Sequence, residues 1–456
     1  MTGMYVYMGA IHRLARKMVP QFLRPYILKL LEWKNGHPTK KLRAKEPSTT
    51  YPKLTDDLQG KINNAIKLTF TGDLILLRDS LEMGYNKEKR EYDFSPMFRY
   101  VKDVLHQADL NVAIFEGPMA GADKGYSNSN IFDGIPVCLN FPKEYGVAVK
   151  DAGFNLVTLA NNHLLDKGVE GMHKTIETLN EIGLDHVGAY IGNKKSSTPK
   201  VLTVAGKRIA VLAYTYGCNM QPPDFFFSEE GRQYTSVIVP PSSKHFQECK
   251  KSIIADFEQA KSLHPDLIMV LPHMGEEFRH KPDKMQQFWC DFFAEQGADI
   301  IFSGHPHAVQ PIEWRKNAGR DILIVNCPGN FLNTYTLHDG DASMIVECYL
   351  DRETGKPIAS ACIPLYTYCR HGANYEVAPV SKILTDDSVF PMLSEYEYKR
   401  ICQVHSLITE NALGVRLTVD ELQERYFLFP DIGYLSGKVL EATKFAFLRK
   451  CGGMYS

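Results

Sequence analysis

Val157-Thr158-Leu159-Ala160-Asn161-Asn162-His163-Leu164-Leu165-Asp166-Lys167-Gly168 is the stretch on which the reading of this chain turns. A β-branched, apolar run stops on two amides and an imidazole, and from Val169 the apolar residues recur at helical spacing. Polar side chains displayed where a strand stops and a helix follows are where α/β proteins keep their chemistry. Taken alone, Asn-Asn-His reads more simply as an Asx turn that ends a strand. The choice between a turn and a site rests on the rest of the chain.

Working outward, strands alternate with helices on both sides of this unit. The pattern predicts strands over 67–77 and 110–115, a helix around 96–107, a long loop over 119–142, and a helix over 143–152 stopped by Gly153. The amphipathic run 168–182 ends at Gly183. Further on come a hairpin over 200–204 and 208–214, an irregular stretch over 216–241, and a helix over 245–263. Then follow a strand at 266–271, a helix over 284–296 closed by Gly297, strands at 299–302 and 321–326, and a hairpin over 343–350 and 358–365. Past Ala373 the pattern turns helix-like, over 395–413, 418–426 and 437–449. Early crossover helices and late hairpins predict an α/β fold of mixed β-sheet covered by helices.

Composition sets the class. At 456 residues, 44% hydrophobic and 23% charged, the chain reads as an ordinary soluble protein with one large domain and appendages. Its ten cysteines are scattered without paired spacing and read as reduced thiols of a cytosolic protein, against a structural zinc knuckle. No stretch reaches the roughly 18 uninterrupted apolar residues of a membrane span. Residues 1–46 hold ten Lys and Arg against Glu32 and Glu46, a balance of +8, which leaves −9 for the rest. Apolar residues recur there at spacings of three and four, so the arm suits an anionic membrane surface or packing on its own domain or a partner. There is no clean signal peptide, so the expected location is cytoplasmic or peripheral to the membrane. The expected division is a basic arm over 1–60, a main domain over 61–372 and a C-terminal helical extension over 373–456. Nucleic acid is set aside as partner, because the main segment is acidic and lacks a basic, aromatic-interleaved stripe.

The strand ends carry the chemistry. Asp73 closes the first strand, Glu116 the second, Asn162 and His163 the third, His273 the strand at 266–271, and His305 with His307 the strand at 299–302. Hard oxygens together with imidazoles are the ligand set of a divalent ion such as Mn, Fe or Zn. Each residue alone has an ordinary structural role; five strand ends stopping on ligand types point to a metal centre, with enough ligands for two ions sharing a carboxylate.

In order, Phe70-Thr71-Gly72-Asp73, Phe115-Glu116-Gly117-Pro118, Leu159-Ala160-Asn161-Asn162-His163, His273-Met274-Gly275-Glu276-Glu277, Ser303-Gly304-His305-Pro306-His307 and Pro328-Gly329-Asn330-Phe331 resemble the motif set of the CapA family. These poly-γ-glutamate capsule synthesis proteins are similar in fold to the calcineurin-like metallophosphoesterases. The resemblance covers roughly residues 66–350. It implies a layered, metallophosphoesterase-like sandwich in which Asp73, Glu116, Asn162, His273, His305 and His307 hold metal. It implies further that Glu116 bridges two ions and that His163 contacts substrate and acts as the catalytic residue. Asp166 and Glu276 are candidates to orient imidazoles, Asp166 equally a helix N-terminal residue, and Asn161 and Asn330 stand beside the ligands. One departure matters: Ile75 stands where the phosphoesterases carry a histidine, so the first site is weaker, empty or completed by another ligand such as Glu277. The implied activity is metal-dependent hydrolysis of a phosphate ester or a γ-glutamyl-type amide. The alternative is a non-catalytic accessory protein that binds an anionic polymer in the same cleft.

Overall fold

The computed structural model describes residues 56–430 apart from 193–198, 334, 371–373, 387, 389 and 391–392. The basic arm, up to position 55, and the helix expected over 437–449 lie outside the described residues.

Two large sheets pack face to face, and a separate two-stranded ribbon pairs Tyr85–Asn86 with Glu91–Tyr92. β1 (Ile66–Leu74), β2 (Leu110–Phe115), β3 (Leu156–Thr158) and β4 (Asp185–Val187) are parallel neighbours. Helix α1 (Lys143–Asp151) connects β2 to β3, and α2 (Gly168–Ile182) connects β3 to β4. The chain then leaves for the second sheet through β5 (Lys200–Val204), β6 (Lys207–Thr215), β7 (Leu267–His273), β8 (Ile300–Phe302), β9 (Ile312–Asn317) and β10 (Arg320–Val325). There α3 (Phe246–Ser262) and α4 (Lys284–Gln296) make the crossovers, and the strand order is β9-β10-β8-β7-β6-β5. β11 (Ala342–Leu350) returns to pair antiparallel with β1, and β12 (Pro357–Arg370) and β13 (Asn374–Pro379) extend that sheet. Its order is β13-β12-β11-β1-β2-β3-β4, with β14 (Tyr426–Leu428) also on β12.

Residue alternation makes the layers. Leu68, Phe70, Val112 and Ile114 of the first sheet meet Val211, Met269, Leu271 and Phe302 of the second in one buried cluster, where Phe70 stacks on Phe302 at 4.8 Å between ring centroids. The opposite faces are apolar too: Ala113, Phe115 and Val157 lie under α1 and α2, while Leu212, Val270 and Ile324 lie under Phe257, Trp289 and Phe293 of α3 and α4. Burial on both faces accounts for the near-continuous apolar strands. Helix ends follow local chemistry. Asp283 and Gln286 form a capping box that starts α4, and Gly297, left-handed at φ 116°, stops it.

Several elements differ from expectation. The helix expected over 96–107 is broken into a 3-10 turn, Ser95–Phe98, with Pro96 in its first turn, and a short helix, Lys102–Leu105. Strand β9 went unread. Past Ala373 the helix α5 (Glu395–Leu413) forms as expected, started by a Ser394 and Glu397 capping box, but β13 and β14 are strands of the first sheet. The expected helix over 418–426 reduces to the 3-10 turn Val419–Glu421. Sheet pairing of such short segments is set by distant partners, which local spacing does not report.

Candidate metal centre

Parallel strands bring their carboxyl ends to a common edge, and both sheets contribute to it. Asp73 sits at a β-bulge where the register of β1 on β2 shifts between Phe70 and Asp73. Its backbone is tied to Gly329 and Phe331 by hydrogen bonds of 3.3 and 3.0 Å. Glu116 follows β2 directly, Asn162 and His163 follow β3 after a short turn, and His273 is the last residue of β7. After β8 the chain turns through His305 and His307, both left-handed, at φ 98° and 54°. Such backbone costs of order 1–3 kcal/mol per non-glycine residue and collects at functional sites. Gly304 lets this turn approach β1, since a Cβ there would stand 2.1 Å from Ile114 Cδ1 and 2.7 Å from Asp73 Oδ1.

The six side chains read as ligands converge and are buried. His307 Nδ1 lies 3.2 Å from Asp73 Oδ2, and His307 Nε2 lies 3.6 Å from Glu116 Oε1. His273 Nε2 stands 3.6 Å from Glu116 Oε1 and donates to Asn162 Oδ1 at 2.8 Å. The His305 ring is 5.0 Å from His273 and 5.8 Å from His307, between centroids. Among the described residues three groups have ligand atoms within 4.8 Å of one another: Asp73, Glu116 and His307; Glu116, His273 and His305; Glu277, His305 and His307. Glu116 is common to the first two.

The cluster fits a cation. Neither carboxylate oxygen of Asp73 or of Glu116 has a hydrogen bond, nor do Nδ1 of His273 and His305, although all are buried. Buried carboxylates without hydrogen bonds are costly, and a divalent ion would supply compensating charge. Electrostatics show the same tension. Burial, then the Glu116 charge, raises the Asp73 carboxyl, whereas His307 and His273 outweigh burial and hold Glu116 below the carboxylate range. Burial works against a charged His307, yet Glu116 and Asp73 hold its pKa well above normal. Burial and the positive charge of His273 and His307 press His305 far below normal, which keeps it neutral, the form that binds metal.

Around this cluster the expected helpers divide. Asn161 is the Asx turn: its Oδ1 accepts from His163 N at 3.0 Å, and its Nδ2 donates to Phe115 O at 2.8 Å. Asn162, one position on, is the amide that meets His273. Asp166 Oδ2 accepts from His163 Nδ1 at 2.6 Å and from Leu139 N at 2.7 Å, so it orients an imidazole and pins the long loop over the sheet. Burial opposes a charged His163, but the Asp166 hydrogen bond and charge raise its pKa. Asn330 Oδ1 accepts from His307 Nδ1 at 2.7 Å. Glu276 corrects the expectation that it orients an imidazole: it is exposed and pairs with Arg279, and Glu277 is the glutamate within reach of His305 and His307. Ile75 is core, 1% exposed among Leu74, Leu76 and Leu77. Two residues went unread. Tyr216 follows β6 and lies over His305 at 4.6 Å, and the Tyr335 hydroxyl accepts from Asn330 Nδ2 at 3.1 Å. The end of β6 at the same edge was the available signal for Tyr216; nothing local marks Tyr335.

The two-sheet sandwich, with carboxylates and imidazoles at the shared edge, is consistent with the calcineurin-like fold. The chain belongs to the family of the bacterial capsule synthesis protein PGA_cap, whose model matches residues 67–335. It is 29% identical over 315 residues to the capsule biosynthesis protein CapA of Bacillus anthracis, covering 66% of this chain and 71% of that one. It is 28% identical over 254 residues to the PGA biosynthesis protein CapA of Bacillus subtilis, covering 55% of this chain and 60% of that one. A probable polyglutamine synthesis accessory protein of Mycobacterium tuberculosis is 22% identical over 240 residues, covering 51% and 61% of the two chains. Among the described residues no helix is long and apolar enough to cross a membrane.

Proposed function

We propose that this chain is a metal-dependent hydrolase of surface-polymer metabolism that cleaves a phosphate ester or a γ-glutamyl-type amide. The observation that carries the reading is the set of buried, unpartnered oxygens of Asp73 and Glu116 facing imidazole nitrogens. Asp73, Glu116 and His307 would hold one divalent ion, Mn, Fe or Zn; Glu116, His273 and His305 with Asn162 would hold a second. Glu277 stands on the solvent side of His305 and His307, a further oxygen donor where Ile75 offers none. When bound, such ions supply Lewis acidity and water acidified to near neutral pH.

The chain's own residues supply proton handling and orientation. Asp166 fixes Nδ1 of His163, which leaves Nε2 as the nitrogen able to reach a substrate. The Asp166 hydrogen bond and charge, by raising its pKa, favour the protonated ring, the form suited to donating a proton to a leaving group. Tyr216 lies against the His305 ring and limits the approach of water on that side.

The test is metal content of protein purified without chelator, together with hydrolysis assays on phosphomonoesters, phosphodiesters and γ-glutamyl substrates. Bound transition metal that His305→Ala loses is the expected result; no stoichiometric metal under any loading condition would refute the reading. Ile75 in the apolar core favours a second reading, a polymer-binding accessory protein. Metal binding with no hydrolysis in wild type and unchanged polymer binding in His163→Ala would favour it. The arm over 1–46 is proposed as a peripheral membrane contact, tested by vesicle flotation with and without it.

A further inference from the structure

Helix α5 carries no residue of the candidate centre, yet a run of contacts, polar but for one packing step, leads from it to His307. Arg400 Nε donates to Asp341 Oδ2 at 2.9 Å, its Nη2 donates to Asp339 Oδ1 at 3.0 Å, and Nη2 also contacts Asp341 Oδ1. The Asp341 carboxylate is 4% exposed. Asp339 Oδ2 also meets His280 Nε2 at 3.4 Å, and His280 Nδ1 donates to Val309 O at 3.1 Å. Arg400 thereby gathers the segments that follow β7 and β10.

Gly340 stands between the two aspartates, and the Tyr335 ring rests on it: a Cβ there would lie 2.3 Å from the ring. Phe132 closes on the same ring edge-on at 5.1 Å. Tyr335 is thus seated by the residue that the Arg400 partners flank. The Asn330 amide bridges Tyr335 and His307, its Nδ2 to the Tyr335 hydroxyl and its Oδ1 to His307 Nδ1; that nitrogen also faces Asp73 Oδ2, an acceptor, at 3.2 Å, so it carries the hydrogen and meets the amide at its oxygen. With Nδ1 committed to Asn330, Nε2 is the nitrogen left to take a cation, on the side of Glu116 Oε1, 3.6 Å away. A hydrogen bond at one imidazole nitrogen sets the tautomer and aim of the other.

We infer that Arg400 and Tyr335 are positioning residues of the metal centre: the ion pair from α5 seats Tyr335, which through Asn330 holds the His307 ring with Nε2 aimed at the cation. The inference rests on the metal reading of the site. It gives α5 a part in the centre beyond packing.

The experiment is titration of the metal-free, full-length protein with Co(II), followed by visible absorption. Substitutions one step behind a metal ligand weaken binding about 10–100-fold, and Tyr335→Phe, which keeps the ring and deletes the acceptor, is expected to weaken Co(II) by about tenfold. Arg400→Met is expected to weaken it in the same direction, and the double variant to be no weaker than Tyr335→Phe alone within about twofold, as one relay requires. A merely structural Arg400 would lower the melting temperature and leave the Co(II) affinity unchanged. Should Arg400→Met not fold, Arg400→Lys, which keeps the charge and loses the fork, carries the same expectation. Variants within about twofold of wild type, or losses that add in the double variant, overturn the inference alone. A wild type that takes up no Co(II) overturns the metal reading beneath it.

Discussion

Replacing Asp166 by Asn changes one charge and almost no volume, which isolates its effect on His163. The carboxylate is fully buried, and one oxygen accepts from both His163 Nδ1 and Leu139 N. A hydrogen bond to a charged group contributes about 1.5–3 kcal/mol. The amide keeps an acceptor but not the charge, so part of that contribution is lost and the imidazole pKa falls. The direction is downward because burial, the largest influence on His163, already favours the neutral ring and the Asp166 hydrogen bond and charge are the chief opposition. The measurement is an NMR titration of the His163 ring nitrogens in wild type and Asp166→Asn, independent of any substrate. Where hydrolysis is detected, the basic limb of its pH profile should move to lower pH in the variant, since the protonated ring is the donor. A His163 titration that is unmoved or rises would refute the reasoning. So would a basic limb that stays in place while the ring titration shifts, which would remove His163 as the acid.

Three further outcomes follow from the geometry. Gly304→Ala places a methyl against Ile114 and Asp73; overpacking of this kind costs about 1–3 kcal/mol, so urea denaturation should show that loss, and metal content should fall with it. The raised pKa of His307 means that a proton occupies the ring at neutral pH and competes with a cation; metal affinity should climb from pH 6 to pH 8 in competition titrations, and a flat dependence would contradict the assignment. His405, buried and bonded to the Tyr426 hydroxyl at 2.6 Å, is pressed by burial from 6.5 down to about 4. The unfolded chain takes up that proton first, so its share of stability is intact above pH 6.5 and lost as pH falls toward 4, at up to about 1.4 kcal/mol per pH unit; urea melts of His405→Gln should lack that slope.

How much was legible depended on where a residue's role is decided. The strands that end on Asp73, Glu116, Asn162, His273 and His305 are apolar runs stopped by a polar residue, a local pattern, and their convergence follows from parallel strands sharing an edge. The split into two sheets was not legible in the same way. Leu68, Phe70 and Val112 face one partner and Ala113 and Phe115 another, so both faces are apolar and the period of two that assigns faces is erased. Tyr335 and Arg400 lie beyond local reading for a different reason: each matters through a contact with a residue distant in the chain.

Asn161 and Asn162 show why the opening tripeptide resisted a single reading. One amide makes the turn and the next meets an imidazole, so the structural reading and the chemical reading describe different residues. The two are linked. The turn made by Asn161 ties His163 N to an amide that also grips the end of β2 at Phe115, one residue before Glu116. The residue that ends the strand therefore holds β2 and β3 at a fixed offset, and that offset sets where Glu116 and Asn162 stand relative to His273. By this logic a substitution at Asn161 acts on the centre only through geometry, and its effect should appear in Co(II) affinity and in stability together, whereas Asn162→Ala should lower the affinity and leave the fold of the strand end in place.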